Sequence, residues 1–150
     1  MEIRSESSAS PESEQSGPRF SSAVLDHFHH PRNAGTARDF NRSYLEQDNP
    51  WRIRLLFTLR VEEGRIQEVK FKAQSCVTTV ACASALTKMA AGRDVDSARA
   101  IRPEELSQVL GVVPEEKMYC CRLAIATLQR ALESPVASPA GQFPRQGELS

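Results

Sequence analysis

Cys76 and Cys120 each stand where a strand or loop is expected to run into a helix. The amino end of a helix carries unpaired N–H groups and a partial positive charge, so a thiol placed there ionises easily and serves as a nucleophile or a metal ligand. Cys121, next to Cys120, is placed to complete a three-thiolate metal site with Cys76 if the backbone there is non-helical. It also shares the spacing of Ile125, Leu128 and Leu132, at i+4, i+7 and i+11, which is the stripe of a buried helix face. Cys82 falls on a stripe with Leu86 and Met89, and on one helix it lies about 120° round and about 9 Å along from Cys76. It reads as a core thiol. A tetrahedral metal site wants about four ligands, so two or three cysteines in one chain leave a set to be completed.

Composition narrows what such a site can serve. The 150 residues, 40% hydrophobic and 25% charged, describe one ordinary globular unit. Nineteen basic and nineteen acidic residues cancel, which gives no electrostatic footprint for nucleic acid. The first ten residues, MEIRSESSAS, hold no apolar segment of a secretory signal, and no stretch has the length of a membrane span. A cytoplasmic protein is expected, in which four cysteines stay free or bind metal instead of pairing as disulfides. No nucleophile–base pair, phosphate loop or cofactor fingerprint occurs elsewhere, so the chain is not expected to be an enzyme.

The elements that position the cysteines lie between two biased ends. Residues 1–18 hold six serines, four glutamates and two prolines with almost nothing to bury, and residues 134–150 repeat proline and glycine. Both are expected as disordered tails around a folded unit at 19–133. Within it, Ser21 or Ser22 is placed to cap a first helix bearing Val24, Leu25 and Phe28, which Pro31 stops. Ile53, Leu55, Phe57, Leu59 and Val61 alternate as a half-buried strand. After a turn at Glu62–Gly64, Val69, Phe71 and Ala73 continue as its hairpin partner, with Ile66 out of phase as a bulge would make it. Helices are expected over 76–91, over 103–111 and from about Cys121 to Glu133. The fold class is α+β, a small antiparallel sheet packed against helices.

Several spaced segments resemble one family. Asp26-His27-Phe28-His29-His30-Pro31-Arg32-Asn33-Ala34-Gly35 is similar to the DHxxxPRNxG signature that opens the NifU amino-terminal domain family, which includes IscU-type and SufU-type iron–sulfur cluster assembly scaffolds. Val61 to Cys76 resembles the hairpin that delivers the family's second cysteine, and Pro114 to Cys120 resembles the stretch that delivers its third. The resemblance runs over nearly all of residues 20–133.

It implies an iron–sulfur cluster scaffold or carrier using Cys76 and Cys120 as ligands, with iron or a transient 2Fe-2S cluster as cargo. The implied partners are a cysteine desulfurase as sulfur donor and apo iron–sulfur proteins as recipients, and a homodimer would gather four thiolates. The SufU branch implies an alternative, a zinc-dependent sulfur acceptor, and a regulatory family member without metal is a third reading. The chain departs from the pattern in the loop that should bring the first cysteine and an aspartate. That loop reads Gln47-Asp48-Asn49-Pro50-Trp51-Arg52-Ile53, with Trp51 near the absent cysteine and Ile53 near the absent aspartate. Tyr119 stands where IscU-type proteins carry a histidine, and the chaperone-recognition segment is reduced to Val113-Pro114-Glu115-Glu116-Lys117. His27, His29, His30, Arg32 and Asn33 read as capping and turn residues, and Arg52, Arg54 and Arg60 as solvated charge on a strand face.

Overall fold

The computed structural model describes residues 20–135. The tail expected at 1–18 lies outside them, as does all of 134–150 except Ser134 and Pro135. Three strands, β1 (Arg42–Glu46), β2 (Arg54–Glu62) and β3 (Arg65–Gln74), form one antiparallel sheet in that order. Five helices accompany it: α1 (Ser22–His29), α2 (Val77–Ala90), α3 (Val95–Arg99), α4 (Pro103–Val109) and α5 (Met118–Leu132), the last entered through a 3-10 turn at Glu115–Lys117. The α+β architecture and the β2–β3 hairpin are those expected from the alternation.

The hairpin follows from local chemistry. Glu63 and Gly64 both take positive φ, 54° and 74°, the two-residue turn whose twist matches antiparallel strands. The out-of-phase Ile66 is accommodated by a register shift between Arg60 and Val61, after which Val61 faces Ile66. Leu55, Phe57 and Leu59 are wholly buried, and α2 and α5 pack on the sheet.

The structure corrects the half-buried reading of β2. It is the central strand, and its other face is covered as well: Leu56 and Thr58 are buried, and Thr58 Oγ1 accepts from Ala37 N–H at 2.8 Å. Three elements escape sequence reading: β1, α3 and the 3-10 turn. In β1 only Ser43 is buried, so a five-residue strand with one buried position carries no usable alternation. Its pairing with β2 creates it. Ser134 and Pro135 lie beside it, with Ser43 N–H donating to Ser134 O at 3.1 Å and Arg42 bridging to Pro135.

The Pro31–Gly35 turn is pinned to α2. Ser84 Oγ accepts from Arg32 N–H at 2.8 Å and lies 2.8 Å from His27 Nδ1. Because that oxygen already accepts, its own hydrogen is available to Nδ1 of a neutral imidazole. Burial, followed by the Arg32 charge, holds the His27 pKa below its usual range. Asn33, at φ 61°, donates to Thr87 Oγ1 at 3.2 Å, and its carbonyl accepts from Phe71 N–H on the outer edge of β3. Replacing Ser84 with alanine leaves a buried imidazole nitrogen and a backbone N–H without partners. A loss of about 2 kcal/mol in urea denaturation is expected, against less than about 0.5 kcal/mol for a surface serine.

Candidate functional site

Strand β3 ends at Gln74, and two residues later Cys76 caps α2 with extended backbone (φ −80°, ψ 170°) while Val80 N–H donates to its carbonyl at 3.1 Å. The strand-to-helix junction expected from the sequence is therefore present, and the Cys76 side chain is exposed at it. Cys120 arrives from the other direction. The 3-10 turn tightens the chain into α5, and Cys120 is the third residue of that helix, fully buried. The helix starts three residues earlier than expected, at Met118, so Cys120 lies inside its first turn.

Cys76 and Cys120 thus stand at the amino ends of two long helices, near enough to shift each other's pKa, and the pair divides its protons unequally. The nearby Cys120 thiol is the largest influence holding the Cys76 pKa down to about 4. Burial opposes it. The Thr79 hydroxyl, 3.4 Å from Cys76 Sγ, adds to the lowering, with smaller help from the Thr79 amide, short of a capping hydrogen bond, and from Ser75. Cys120 responds oppositely: the nearby Cys76 and its own burial raise its pKa, so it keeps its proton. The site is one thiolate beside one thiol, carrying one negative charge between them.

Cys121 is not brought to this pair. It points into the core, its Sγ 3.6 Å from that of Cys82, and both side chains are fully buried. The contact with Cys121 and burial keep Cys82 protonated. Of the two openings for Cys121, the apolar stripe is the one the helix realises, since helical backbone turns successive side chains about 100° apart and sends Cys120 and Cys121 to different surroundings. Cys82 is the core thiol expected. Among the described residues no group of three His, Cys, Asp or Glu side chains could hold a metal ion.

The loop where the resemblance calls for a first cysteine is instead closed and aromatic. Asn49 clamps it: Oδ1 accepts from Ile53 N–H at 3.0 Å, while Nδ2 donates to Ile53 O at 2.9 Å and to Glu46 Oε2 at 3.0 Å. Arg52, at φ 58°, closes the turn, and Asp48 is exposed outside the clamp. Ile53 is buried, and Trp51 stacks on Tyr119, ring centroids 4.9 Å apart and planes 17° from parallel. Position 51 is therefore held over the residue preceding Cys120. Sequence reasoning placed Trp51 near the missing ligand but missed the stack, Asn49 and Thr79. An Asn-Pro turn signal points to the first clamp residue, and the N3 position three residues after a capping Cys76 points to Thr79. The stack joins residues far apart in the chain and has no local signature.

The remaining expected residues take structural places. His27 and Asn33 hold the turn, and Arg32 pairs with Asp26 at 2.8 Å on the surface. Arg60 pairs with Glu68 at 3.1 Å and Arg54 donates to Gln74 at 3.3 Å across the hairpin, while Arg52 lies outside the strand. No helix among the described residues is long and apolar enough to cross a membrane.

This fold recurs in solved structures. The N-terminal part of a nitrogen-fixing NifU-like protein from Brucella abortus superposes with a TM-score of 0.63 at 10% identity, covering 75% of this chain and 91% of that one. The sequence carries the likeness further. It is 32% identical over 116 residues to the iron–sulfur cluster assembly scaffold protein IscU of Aquifex aeolicus, covering 76% of this chain and 74% of that protein. It is 31% identical over 113 residues to the scaffold protein IscU 1 of Archaeoglobus fulgidus, covering 75% and 74%. The profile of the NifU-like N terminal domain matches residues 19–137, and the chain belongs to that family.

Proposed function

We propose that the chain is an iron–sulfur cluster assembly scaffold or carrier whose cargo is bound through Cys76 and Cys120. The observation that carries the reading is the thiolate–thiol pair assembled where α2 and α5 begin, in a fold and sequence family whose relatives are named as scaffolds. A cluster needs about four ligands and each chain offers two at this site, so the reading calls for two protomers, each giving Cys76 and Cys120 to one bridging cluster, 2Fe-2S being the smallest that fits. Sulfur comes from a cysteine desulfurase and the cluster goes to apo-proteins, with no catalytic turnover by the chain itself.

A second reading has its own support. Cys76 is exposed and ionised whereas Cys120 is buried, the arrangement of a thiol that accepts sulfane sulfur by exchange. The zinc form of that reading is weaker, since a zinc site takes three or four protein ligands. Anaerobic reconstitution followed by native mass spectrometry tests the scaffold. The wild-type chain is expected to carry iron and sulfide as a dimer, and Cys76→Ala and Cys120→Ala are each expected to lose both. Wild-type protein that stays free of iron would end the scaffold reading.

A further inference from the structure

A groove of about 320 Å³ opens between the start of α1, the start of α2 and the 111–117 segment that leads into α5. Phe20, Val24, Val112, Val113 and Pro114 give it apolar walls, and Glu116 and Lys117 add one charge of each sign. Among the described residues neither of these two charges forms an ion pair. Four large apolar side chains are exposed, and three of them, Leu25, Val109 and Val112, belong to the two segments that meet where Ser21 Oγ donates to Leu110 O at 2.5 Å. Val112 is the strongest sign of an occupant. It is 64% exposed and takes φ 68°, a conformation that a β-branched residue adopts only under constraint. Ser107 supplies the constraint: its carbonyl accepts from Val112 N–H and its hydroxyl from Val113 N–H, each at 2.8 Å. An apolar side chain pinned outward in a strained turn costs stability that a contact in the groove would offset.

We propose that the groove is the seat of the chain's own first four residues, Met1-Glu2-Ile3-Arg4, which occupy it as an intramolecular cap. Connectivity favours this occupant, because residues 1–19 join the described part at Phe20, itself a wall of the groove. Within residues 1–19 Met1 and Ile3 are the only large apolar side chains, and in an extended chain they share one face while Glu2 and Arg4 share the other. The apolar pair fills the walls, Glu2 meets Lys117 and Arg4 meets Glu116. Phe20 follows Ile3 by seventeen positions. A serine-rich chain of that length spans about 23 Å root-mean-square, which keeps its tip at the groove at an effective concentration on the order of millimolar. Phe143, the aromatic group beyond Pro135, is tethered past the other end of α5, about 22 Å along the helix from Lys117, with eight residues to cover the distance. The groove takes in Thr78, two residues after Cys76, and Lys117, three before Cys120, so the cap covers one flank of the thiol site. Any protein that docks on this flank must displace it.

The test is NMR of the whole chain, labelled at isoleucine and valine methyls and phenylalanine rings. Nuclear Overhauser contacts from the Ile3 methyls to those of Val112 or Val113 are expected, at an intensity that does not change with protein concentration. Ile3 is not part of the core, so Ile3→Asp leaves the fold intact. It is expected to abolish these contacts and shift the Val24, Val112 and Val113 methyls. Lys117→Glu should weaken the contacts, and Glu2→Lys added to it should restore them. A peptide of residues 1–8 should shift the same three valines of Ile3→Asp at a lower concentration than wild type needs, because the wild-type tail competes with it. Ile3 methyls without contact to the groove would overturn the proposal. So would contacts that grow with protein concentration, which come from a second copy, and contacts from Phe143 in place of Ile3. A peptide that binds wild type and Ile3→Asp equally well would overturn it too.

Discussion

Reaction of Cys76 with dithiodipyridine is expected to keep nearly the same rate from about pH 8 down to about pH 5.5. An ordinary cysteine, with a pKa of about 8.5, loses about 200-fold in rate over that range because its thiolate fraction falls. With its pKa held down to about 4, Cys76 is already thiolate throughout. The same shift costs nucleophilicity: at a Brønsted slope of about 0.45, some 4.5 units of pKa lower the intrinsic rate about 100-fold. Cys76 is therefore expected to be slower than free cysteine at pH 8 and about 10-fold faster at pH 5.5. The flat profile, more than the speed at any one pH, is the signature. Only this cysteine should give it, since Cys82, Cys120 and Cys121 are buried. Thr79→Val removes the hydroxyl 3.4 Å from the sulfur and should bring back a slope at the acid end. A rate that climbs tenfold per pH unit up to pH 8 would mean an unperturbed thiol and would remove the thiolate from the site.

The same shift links to stability with a definite sign. The folded-state pKa of Cys76 is depressed below that of the unfolded chain, so its contribution is complete above the unfolded value of about 8.5. It declines as pH falls and is gone below about 4. Cys120 runs the other way: its folded-state pKa is raised, so its contribution is present below the unfolded value of about 8.5 and is lost as pH rises past it, which opposes the Cys76 slope near and above about pH 8.

What the sequence made legible and what it hid divide along one physical line. Ile53 to Val61 announce a strand because burial of every second residue is a local pattern, and Cys82, Leu86 and Met89 announce a helix face for the same reason. Cys76 stands out because a strand runs into a helix beside it. The pattern of β2 also misled, since Leu56 and Thr58 are buried as well, Thr58 beneath Ala37, which the strand's own sequence does not reveal. Cys121 had two readings until the start of α5 was fixed at Met118, because one turn of helix decides which of two adjacent thiols meets Cys76. The Trp51–Tyr119 stack left no local trace. Trp51 and Tyr119 stand 68 residues apart in sequence, and their contact depends on the Asn49 clamp and the α5 register together.

Trp51→Cys is expected to raise affinity for zinc or cobalt about 100-fold over the wild-type chain. Four-ligand structural zinc sites are worth about 10 to 16 kcal/mol in all, so one more thiolate contributes about 3 kcal/mol, or about two decades. Position 51 is the place for it because the ring there lies 4.9 Å from that of Tyr119, against the residue that precedes Cys120. The exchange sacrifices a stack worth about 1 kcal/mol from a half-exposed ring, which the fold can lose without unfolding. Trp51→Ala supplies the control: it opens the same space without a sulfur and should gain no affinity, and adding Cys76→Ala to Trp51→Cys should cancel the gain. An affinity unchanged by Trp51→Cys would mean that the Asn49 clamp holds position 51 turned away from the two thiols. The gain carries a further consequence for assembly. On the proposed scaffold reading, two thiolates per chain call for a cluster bridging two protomers, whereas three leave one ligand for water or substrate within a single chain. Iron and sulfide reconstituted on Trp51→Cys should therefore shift from the proposed dimer toward monomer in native mass spectra, which would tie oligomeric state to the Trp51 loop.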